Sequence, residues 1–495
     1  MGTLDWVVIG IFFLALIGII VWVVKQKQND SADYFLGGRD ATWLAIGASI
    51  FASNIGSEHL IGLAGAGASS GMAMAHWEIQ GWMILILGWV FVPFYSRSMV
   101  YTMPEFLERR YNPQSRTILS VISLISYVLT KVAVTVYAGG LVFQQVFGIK
   151  ELWGIDFFWI AAIGLVVLTA LYTIFGGMKS VLYTSVLQTP ILLLGSLIIL
   201  VLGFKELGGW DEMMSICSAV TVNEYGDTMT QLIRDNNDPN FPWLGALVGS
   251  AIIGFWYWCT DQFIVQRVLS GKNEKEARRG TIFGAYLKLL PVFLFLIPGM
   301  IAFALHQKYI GAGGEGFLPL LANGTANADA AFPTLVAKLL PAGVKGLVVC
   351  GILAALMSSL ASLFNSSAML FTIDFYKRFK PETPEKKLVG IGQIATVVIV
   401  ILGILWIPIM RSVGDVLYTY LQDVQSVLAP GIAAAFLLGI CWKRTSAKGG
   451  MWGLIAGMII GLTRLGAKVY YSNTAITDSS MFKYLFYDLN WLFFC

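Results

Sequence analysis

Seven polar side chains lie inside or at the edges of strongly apolar stretches, and together they could recognise a neutral solute with many hydroxyl groups. Ionisable groups inside a membrane are costly, so each is a functional candidate. Carboxylates, amides, an ammonium group and an imidazole supply both hydrogen-bond donors and acceptors. Trp256, Tyr257 and Trp258 could stack on a sugar ring or close a cavity, although packing explains any single aromatic residue equally well. The seven polar residues are Glu58, His59, Glu78, Lys131, Asp261, Lys288 and Gln422.

Two of these residues also have a structural interpretation. We expect Lys131 to be structural, paired with a carboxylate or with backbone carbonyl groups. A single interior histidine more often forms hydrogen bonds with neighbouring protein groups than binds a ligand. His59 nevertheless remains a candidate, because it lies about one turn after an interruption in its helix.

Two apolar stretches are interrupted by polar and glycine residues, one in each half of the chain. They run from Gly47 to Gly65 and from Gly245 to Arg267. A membrane helix tolerates such a break only where its backbone is buried in protein or lines a cavity. A matched pair of broken helices in two halves indicates the midplane binding site of a secondary transporter.

The first break also offers oxygen atoms to a small cation. Ser53, Asn54 and Gly56 disfavour a continuous helix, and an unwound turn exposes backbone carbonyl groups. An uncharged oxygen site would suit a weakly held monovalent ion. Alternatively, the serines only form hydrogen bonds along their own helix or across a packed interface. The proposed ligands are the carbonyl groups of Ala52, Ile55 and Ala355 and the hydroxyl groups of Ser358 and Ser359.

The composition indicates an integral membrane protein. Hydrophobic residues make up 57% of the chain and charged residues 13%, with a mean hydropathy of +0.72, whereas soluble domains carry about 25% charged residues. We count about twelve apolar stretches of spanning length. The first, Leu4 to Val24, lacks the basic start and cleavage site of a signal peptide, so we expect a retained helix.

Lysine and arginine are concentrated in alternate loops. This bias marks cytoplasmic loops, so it predicts an external N-terminus in a multi-pass protein of the cell membrane, plasma or inner. The charges lie close to membrane spans, which argues against a nucleic-acid partner. The chain has no nucleotide-binding loop, histidine-rich metal motif or G-x-S-x-G elbow, so we expect no enzymatic activity. The basic loops are 25–39, 97–116, 267–279, 377–387 and 443–448.

The order of the spans predicts two related halves. After the first helix, five spans begin with the first broken helix and five more begin with the second. An odd number of spans per half forces the halves into opposite orientations, which is an inverted repeat. The predicted organisation is an extra N-terminal helix (1–30), a first repeat (42–203), a second repeat (242–440) and C-terminal helices (441–495).

Several long motifs resemble the sodium/solute symporter family, most closely its sodium/glucose (galactose) cotransporter branch. The resemblance runs from about Asp33 to Gly466. It implies an all-α integral membrane protein with a leucine-transporter-like fold, in which two inverted five-helix repeats have broken first and sixth core helices. The densest motifs are ASNIGSEHLIGLAG, TMPEFLERRY, GGMKSVLYTSVLQT, WYWCTDQFIVQR, YLKLLPVFLFLIPGM, MSSLASLFNSSAMLFTIDFY and APGIAAAFLLGICWKR.

The resemblance also implies roles for individual positions. His59, Glu78, Lys288 and Gln422 match sugar hydrogen-bonding positions, and Asn54 lines the sugar cavity. Tyr257 matches the aromatic gate beneath the sugar, with Trp258 beside it. The matching sodium-site positions are Ala52, Ile55, Ala355, Ser358 and Ser359.

Three departures from the family pattern bear on ions and selectivity. Ser185 stands where the family usually has an aspartate linked to a second sodium site or to sodium release. Ala361 replaces a hydroxyl residue found in members with two sodium sites. Gly254 stands where some relatives have a polar sugar contact, so sugar selectivity cannot be transferred. Together, Ser185 and Ala361 predict one sodium ion per sugar.

The sequence therefore predicts a sodium-coupled symporter of glucose or galactose that works by alternating access in a lipid bilayer. Myo-inositol or another polyol is the main rival substrate. A non-transporting sugar sensor and a sodium-independent uniporter or channel-like permease remain alternatives.

Overall fold

The computed structural model describes residues 1–26, 28, 30–56, 58–321, 323–413, 417–472 and 480–494, without the side chains at 129, 130, 145, 409–413, 417–424, 469 and 472. Within these residues, eight helical segments are long and apolar enough to cross a membrane. Three shorter apolar helices accompany them: Trp43–Asn54, Ala133–Gln144 and Gln425–Cys441.

The regular secondary structure in the first half of the described chain consists of helices and one small hairpin, β1 (Glu151–Leu152) paired with β2 (Ile155–Asp156). Its helices are α1 Thr3–Val24, α2 Ser31–Leu36, α3 Trp43–Asn54, α4 Ala64–Ser70, α5 Ala75–Ile79, α6 Met83–Ile86, α7 Val92–Ser98, α8 Met103–Arg110, α9 Pro113–Ser126, α10 Ala133–Phe147, α11 Phe157–Leu207 and α12 Trp210–Ser218.

The second half continues with helices of the same kind. They are α13 Trp243–Gly254, α14 Gln262–Leu269, α15 Glu274–Leu287, α16 Ile297–Gly311, α17 Ala331–Leu339, α18 Val344–Met369, α19 Lys377–Phe379, α20 Glu385–Val413, α21 Leu417–Cys441, α22 Ala447–Ser472, α23 Met481–Lys483 and α24 Trp491–Phe494.

Both predicted helix breaks are present. Helix α3 ends at Asn54, and Ile55 is extended (φ −77°, ψ 107°) before a π-helical turn, Glu58–Leu63. In the second half, the π-helical turn Phe255–Thr260 leads to an extended Asp261 (φ −74°, ψ 128°), whose side chain caps α14. π-Helical turns are rare overall, and those that occur are often located at functional sites.

A third break separates two spans inside α11. Gly177 has φ 53° and ψ −149°, a left-handed conformation that glycine adopts without the strain of a side chain. A Cβ atom there would lie 2.4 Å from the carbonyl oxygen of Tyr34. The two spans within α11 therefore meet at a position that requires glycine.

Glycine also brings the first broken helix close to the second half of the chain. Helix α3 packs along α15, where a Cβ on Gly47 would lie 2.7 Å from the carbonyl oxygen of Gly280. Small residues allow this approach between membrane helices. The packing places the end of α3 near the end of α15, where Lys288 is located.

Candidate functional site

Three buried side chains from different parts of the sequence meet beside the first break. The Lys288 ammonium nitrogen lies 2.6 Å from Glu78 Oε2 and 2.9 Å from His59 Nε2. His59 Nε2 also lies 3.2 Å from Glu78 Oε1. The cluster carries a cation, an anion and an imidazole in one place, which is a strong set of donors and acceptors.

Local backbone geometry explains how Lys288 reaches this cluster. It is the C-terminal cap of α15, and its side chain lies across Gly81. A Cβ atom on Gly81 would be 2.6 Å from Lys288 Cγ, so only glycine leaves room for the lysine stem. The ammonium nitrogen also lies 5.5 Å from the centre of the Trp258 ring, within reach of a cation–π interaction.

These groups line a cavity of about 40 Å³. This volume holds one water molecule or a few, which is less than a hexose needs. The polar groups therefore pair with one another in this conformation, and a sugar would have to separate them. The cavity lining comprises Asn54, Glu58, His59, Leu63, Trp77, Glu78, Gln80, Ile253, Tyr257, Trp258, Lys288 and Gln425.

The two broken helices contact each other at the predicted gate. Asn54, the last residue of α3, donates a hydrogen bond of 3.0 Å from Nδ2 to the hydroxyl oxygen of Tyr257. The Tyr257 ring packs edge-on against Trp258, with ring centres 4.9 Å apart. One hydrogen bond thus connects the end of α3, at the first helix break, to the aromatic residues that precede the second helix break.

The structure brings six of the seven predicted sugar residues to this cavity: Asn54, His59, Glu78, Tyr257, Trp258 and Lys288. The seventh, Gln422, has a side chain outside the described residues, although its backbone belongs to α21. The binding roles of all seven remain predictions.

Three polar residues of the cavity wall were not among the predicted sugar residues. Glu58 had been recognised only as an intramembrane charge. Gln425 follows Gln422 by three positions, so the helical period already placed both on one face. Gln80 had no signal of its own in the sequence, because only the packing of its short turn directs it to the cavity.

The predicted sodium ligands come together only in part. Ser359 Oγ donates to the carbonyl oxygens of Ser53 and Ile55, at 2.7 and 3.2 Å, and thereby joins α18 to the unwound end of α3. Ser358 Oγ instead lies 3.2 Å from Ser185 Oγ. Ala52 and Ala355 are both buried.

A buried cation adjoins these oxygens. The Arg267 guanidinium donates to Ser53 Oγ from Nε and Nη2, at 3.0 and 2.8 Å, and the residue is fully buried. A positive charge at this distance lowers the affinity of the neighbouring oxygens for another cation. The prediction that placed Arg267 in the basic loop 267–279 is wrong, because the residue lies within α14 and is buried.

Lys131 has the carboxylate partner that we predicted for it. Its ammonium nitrogen lies 2.5 Å from Asp261 Oδ2, and the Tyr127 hydroxyl donates to the other carboxylate oxygen. The Tyr257 and Phe263 rings lie 4.7 and 4.9 Å from the same nitrogen. This ion pair ties the π-helical turn Tyr127–Val132 to the second helix break.

Comparison with known proteins identifies the family. The family model described as "Sodium:solute symporter family" matches residues 34–457. The chain belongs to the sodium:solute symporter family. It is therefore a multi-pass membrane protein of a sodium-coupled family, as the motifs and the apolar helices predicted.

Curated relatives match nearly the whole chain. Human sodium/myo-inositol cotransporter 2 is 37% identical over 99% of this chain and 74% of the relative. Mouse sodium/glucose cotransporter 4 is 37% identical over 99% and 73%, and rat sodium/glucose cotransporter 2 is 37% identical over 99% and 75%. Relatives named for glucose and relatives named for myo-inositol thus match the chain at similar identities.

Solved structures confirm the fold. A Na⁺-coupled sialic acid symporter in a substrate-bound, outward-open state superposes with a TM-score of 0.77 at 22% identity, over 93% of this chain and 98% of the other. MhsT in complex with L-phenylalanine gives a TM-score of 0.54 at 13% identity, over 86% and 98%. The predicted leucine-transporter-like fold with inverted repeats is confirmed, while the predicted residue bounds of the repeats stay predictions.

Proposed function

We propose that this chain is a sodium-coupled secondary active symporter of a hexose, glucose or galactose, working by alternating access. The observation that carries the proposal is the buried His59–Glu78–Lys288 cluster, which faces the Tyr257 gate between two helix breaks. The relatives named sodium/glucose cotransporter support the choice of substrate.

Sodium would act where α18 meets the unwound end of α3. Ser359 already bridges the Ser53 and Ile55 carbonyl groups. A sodium ion held by the Ile55 carbonyl and the Ser359 hydroxyl, with Ala52, Ala355 and Ser358, would strengthen this junction and favour the outward-open state. One ion per sugar follows from Ser185 and Ala361, which supply no carboxylate and no hydroxyl, respectively.

The hydroxyl groups of the sugar would then replace the contacts that the cluster residues make with one another. Lys288 and His59 can donate, and Glu78 can accept, once they separate. After sodium leaves inward, rupture of the bond between Asn54 and Tyr257 opens the path for the sugar. Sodium and sugar must then tighten each other's binding by the same factor.

Three further statements belong to the same proposal. The basic loops place the N-terminus outside the cell, in the plasma or inner membrane. We expect the chain to act as a transporter and not as an enzyme, because the described charges at the cavity pair with one another. The segment 1–30, which contains α1, lies outside the repeats.

The test is uptake of labelled glucose and galactose by proteoliposomes, under an inward sodium gradient and a matched potassium gradient. Accumulation above equilibrium with sodium alone supports symport. Uptake that reaches equilibrium at the same rate with either ion, without exceeding it, indicates a uniporter. Sugar binding without accumulation indicates a sensor or a release path blocked at Ser185.

Myo-inositol is the second candidate substrate, since the relatives named sodium/myo-inositol cotransporter 2 match this chain at 37–39% identity. Competition between labelled myo-inositol and galactose in the same vesicles separates the two. Sodium-driven uptake of myo-inositol that excess hexose does not inhibit would favour the polyol.

A further inference from the structure

Gln80 lines the cavity, and Gly254 packs directly against its side chain. Gln80 begins the 3₁₀ turn Gln80–Trp82, and Gly254 is the last residue of α13. A Cβ atom on Gly254 would lie 2.4 Å from Gln80 Oε1. The amide of Gln80 therefore occupies the space that any side chain at position 254 would need.

The Gln80 amide is buried without a full set of partners. The residue is 5% exposed, and Oε1 has no hydrogen-bond partner among the described residues. Buried polar atoms are almost always hydrogen-bonded, so an exception at a cavity wall needs an explanation. A ligand hydroxyl is such a partner, because Gln80 lines the same cavity as Glu78.

Position 254 lies on the gate side of its helix. Tyr257 and Trp258 follow it by three and four residues, which is one helical turn, and both line the cavity. A side chain at 254 would thus point toward the same ligand. The glycine leaves that space to an amide from the other side of the cavity.

We propose that Gln80 is a specificity-determining residue whose amide binds one hydroxyl group of the transported sugar, and that Gly254 is required to admit this amide. The inference rests on the proposed function, since it names a further contact in the same site. It predicts that selectivity among sugars depends on the pair Gln80 and Gly254.

The test compares Gln80→Met with wild type on a hexose and its monodeoxy analogues, using sodium-driven uptake by proteoliposomes. Methionine keeps the length of the side chain but forms no comparable hydrogen bond. We expect KM for the parent sugar to rise about tenfold, roughly the effect of one hydrogen bond. For one deoxy analogue, wild type and variant should give the same KM.

Gln425→Met is the matched control, since Gln425 lines the same cavity from α21. It should not equalise KM for the same analogue. Two outcomes would show that Gln80 only supports the fold of the site. One is that Gln80→Met raises KM by the same factor for every analogue, and the other is that both variants give the same pattern of KM values across the analogues. If wild type takes up no hexose, the proposed function fails, and this inference fails with it.

Gly254→Ala gives an independent readout. The new methyl group should displace the amide and reproduce the analogue pattern of Gln80→Met. Gln80→Ala removes the amide. Adding Gly254→Ala to that variant should therefore raise KM little further. Additive losses in the double variant would mean that the two residues act separately, and they would overturn the proposal.

Discussion

Replacing Ser359 with alanine should weaken sodium coupling more than it weakens the fold. The hydroxyl contacts the Ser53 and Ile55 carbonyl oxygens, at 2.7 and 3.2 Å. Its removal takes one oxygen from the predicted cation site and one cross-link from the junction between α18 and the end of α3.

The expected size of the effect follows from the two roles. A hydrogen bond between neutral groups contributes about 0.5–1.5 kcal/mol, whereas a contact with a charged group contributes about 1.5–3 kcal/mol. Loss of one ion contact should therefore raise the sodium concentration for half-maximal uptake roughly 10- to 150-fold. Loss of the hydrogen bond to neutral carbonyl groups is small enough that the variant should still fold and be expressed.

The assay is a sodium titration of sugar uptake at fixed membrane potential, with Ser362→Ala as the control. Ser362 is buried on the same helix and bonds to Ser53 Oγ (2.7 Å) and the Ser358 carbonyl (2.7 Å), but it is outside the predicted cation site. Equal sodium dependence in both variants would refute the placement of the ion at Ser359. Ser359→Thr, which keeps a hydroxyl, should stay close to wild type.

Three other perturbations test the cluster and its supports. Lys288→Ala should raise KM for the sugar at least about tenfold, and an unchanged KM in uptake assays would remove Lys288 from the site. Gly81→Val should displace the Lys288 stem and lower both sugar affinity and thermal stability, because the added side chain overpacks a buried site; a wild-type KM would contradict the close packing. Asp261→Asn should lower stability by about 3–5 kcal/mol, because it leaves the Lys131 ammonium buried beside a neutral group. Melting of the detergent-purified protein measures this, and Asp261→Asn with Lys131→Met should be more stable than Asp261→Asn alone.

The sequence by itself determined the membrane character, the two helix breaks and the polar residues of the site. Apolar spans of fixed length follow from bilayer thickness, and glycine with polar residues inside a span marks a break. His59, Glu78 and Lys288 were recognisable because ionisable groups in lipid are rare and costly. Motif resemblance then gave the family, which the comparisons confirmed.

Only the tertiary structure decided which of these groups touch. Lys288 meets Glu78 across more than two hundred residues because Gly81 and the packing of α3 on α15 allow it. Contacts between other helices pair Lys131 with Asp261, set Arg267 beside the Ser53 hydroxyl, and turn Ser358 toward Ser185. No sequence pattern predicted Gln80 at the cavity wall, since its position depends on space that Gly254 leaves on another helix. Spacing along a helix fixes which face a residue occupies, but partners on other helices depend on side-chain volumes and close backbone approaches that no local pattern records.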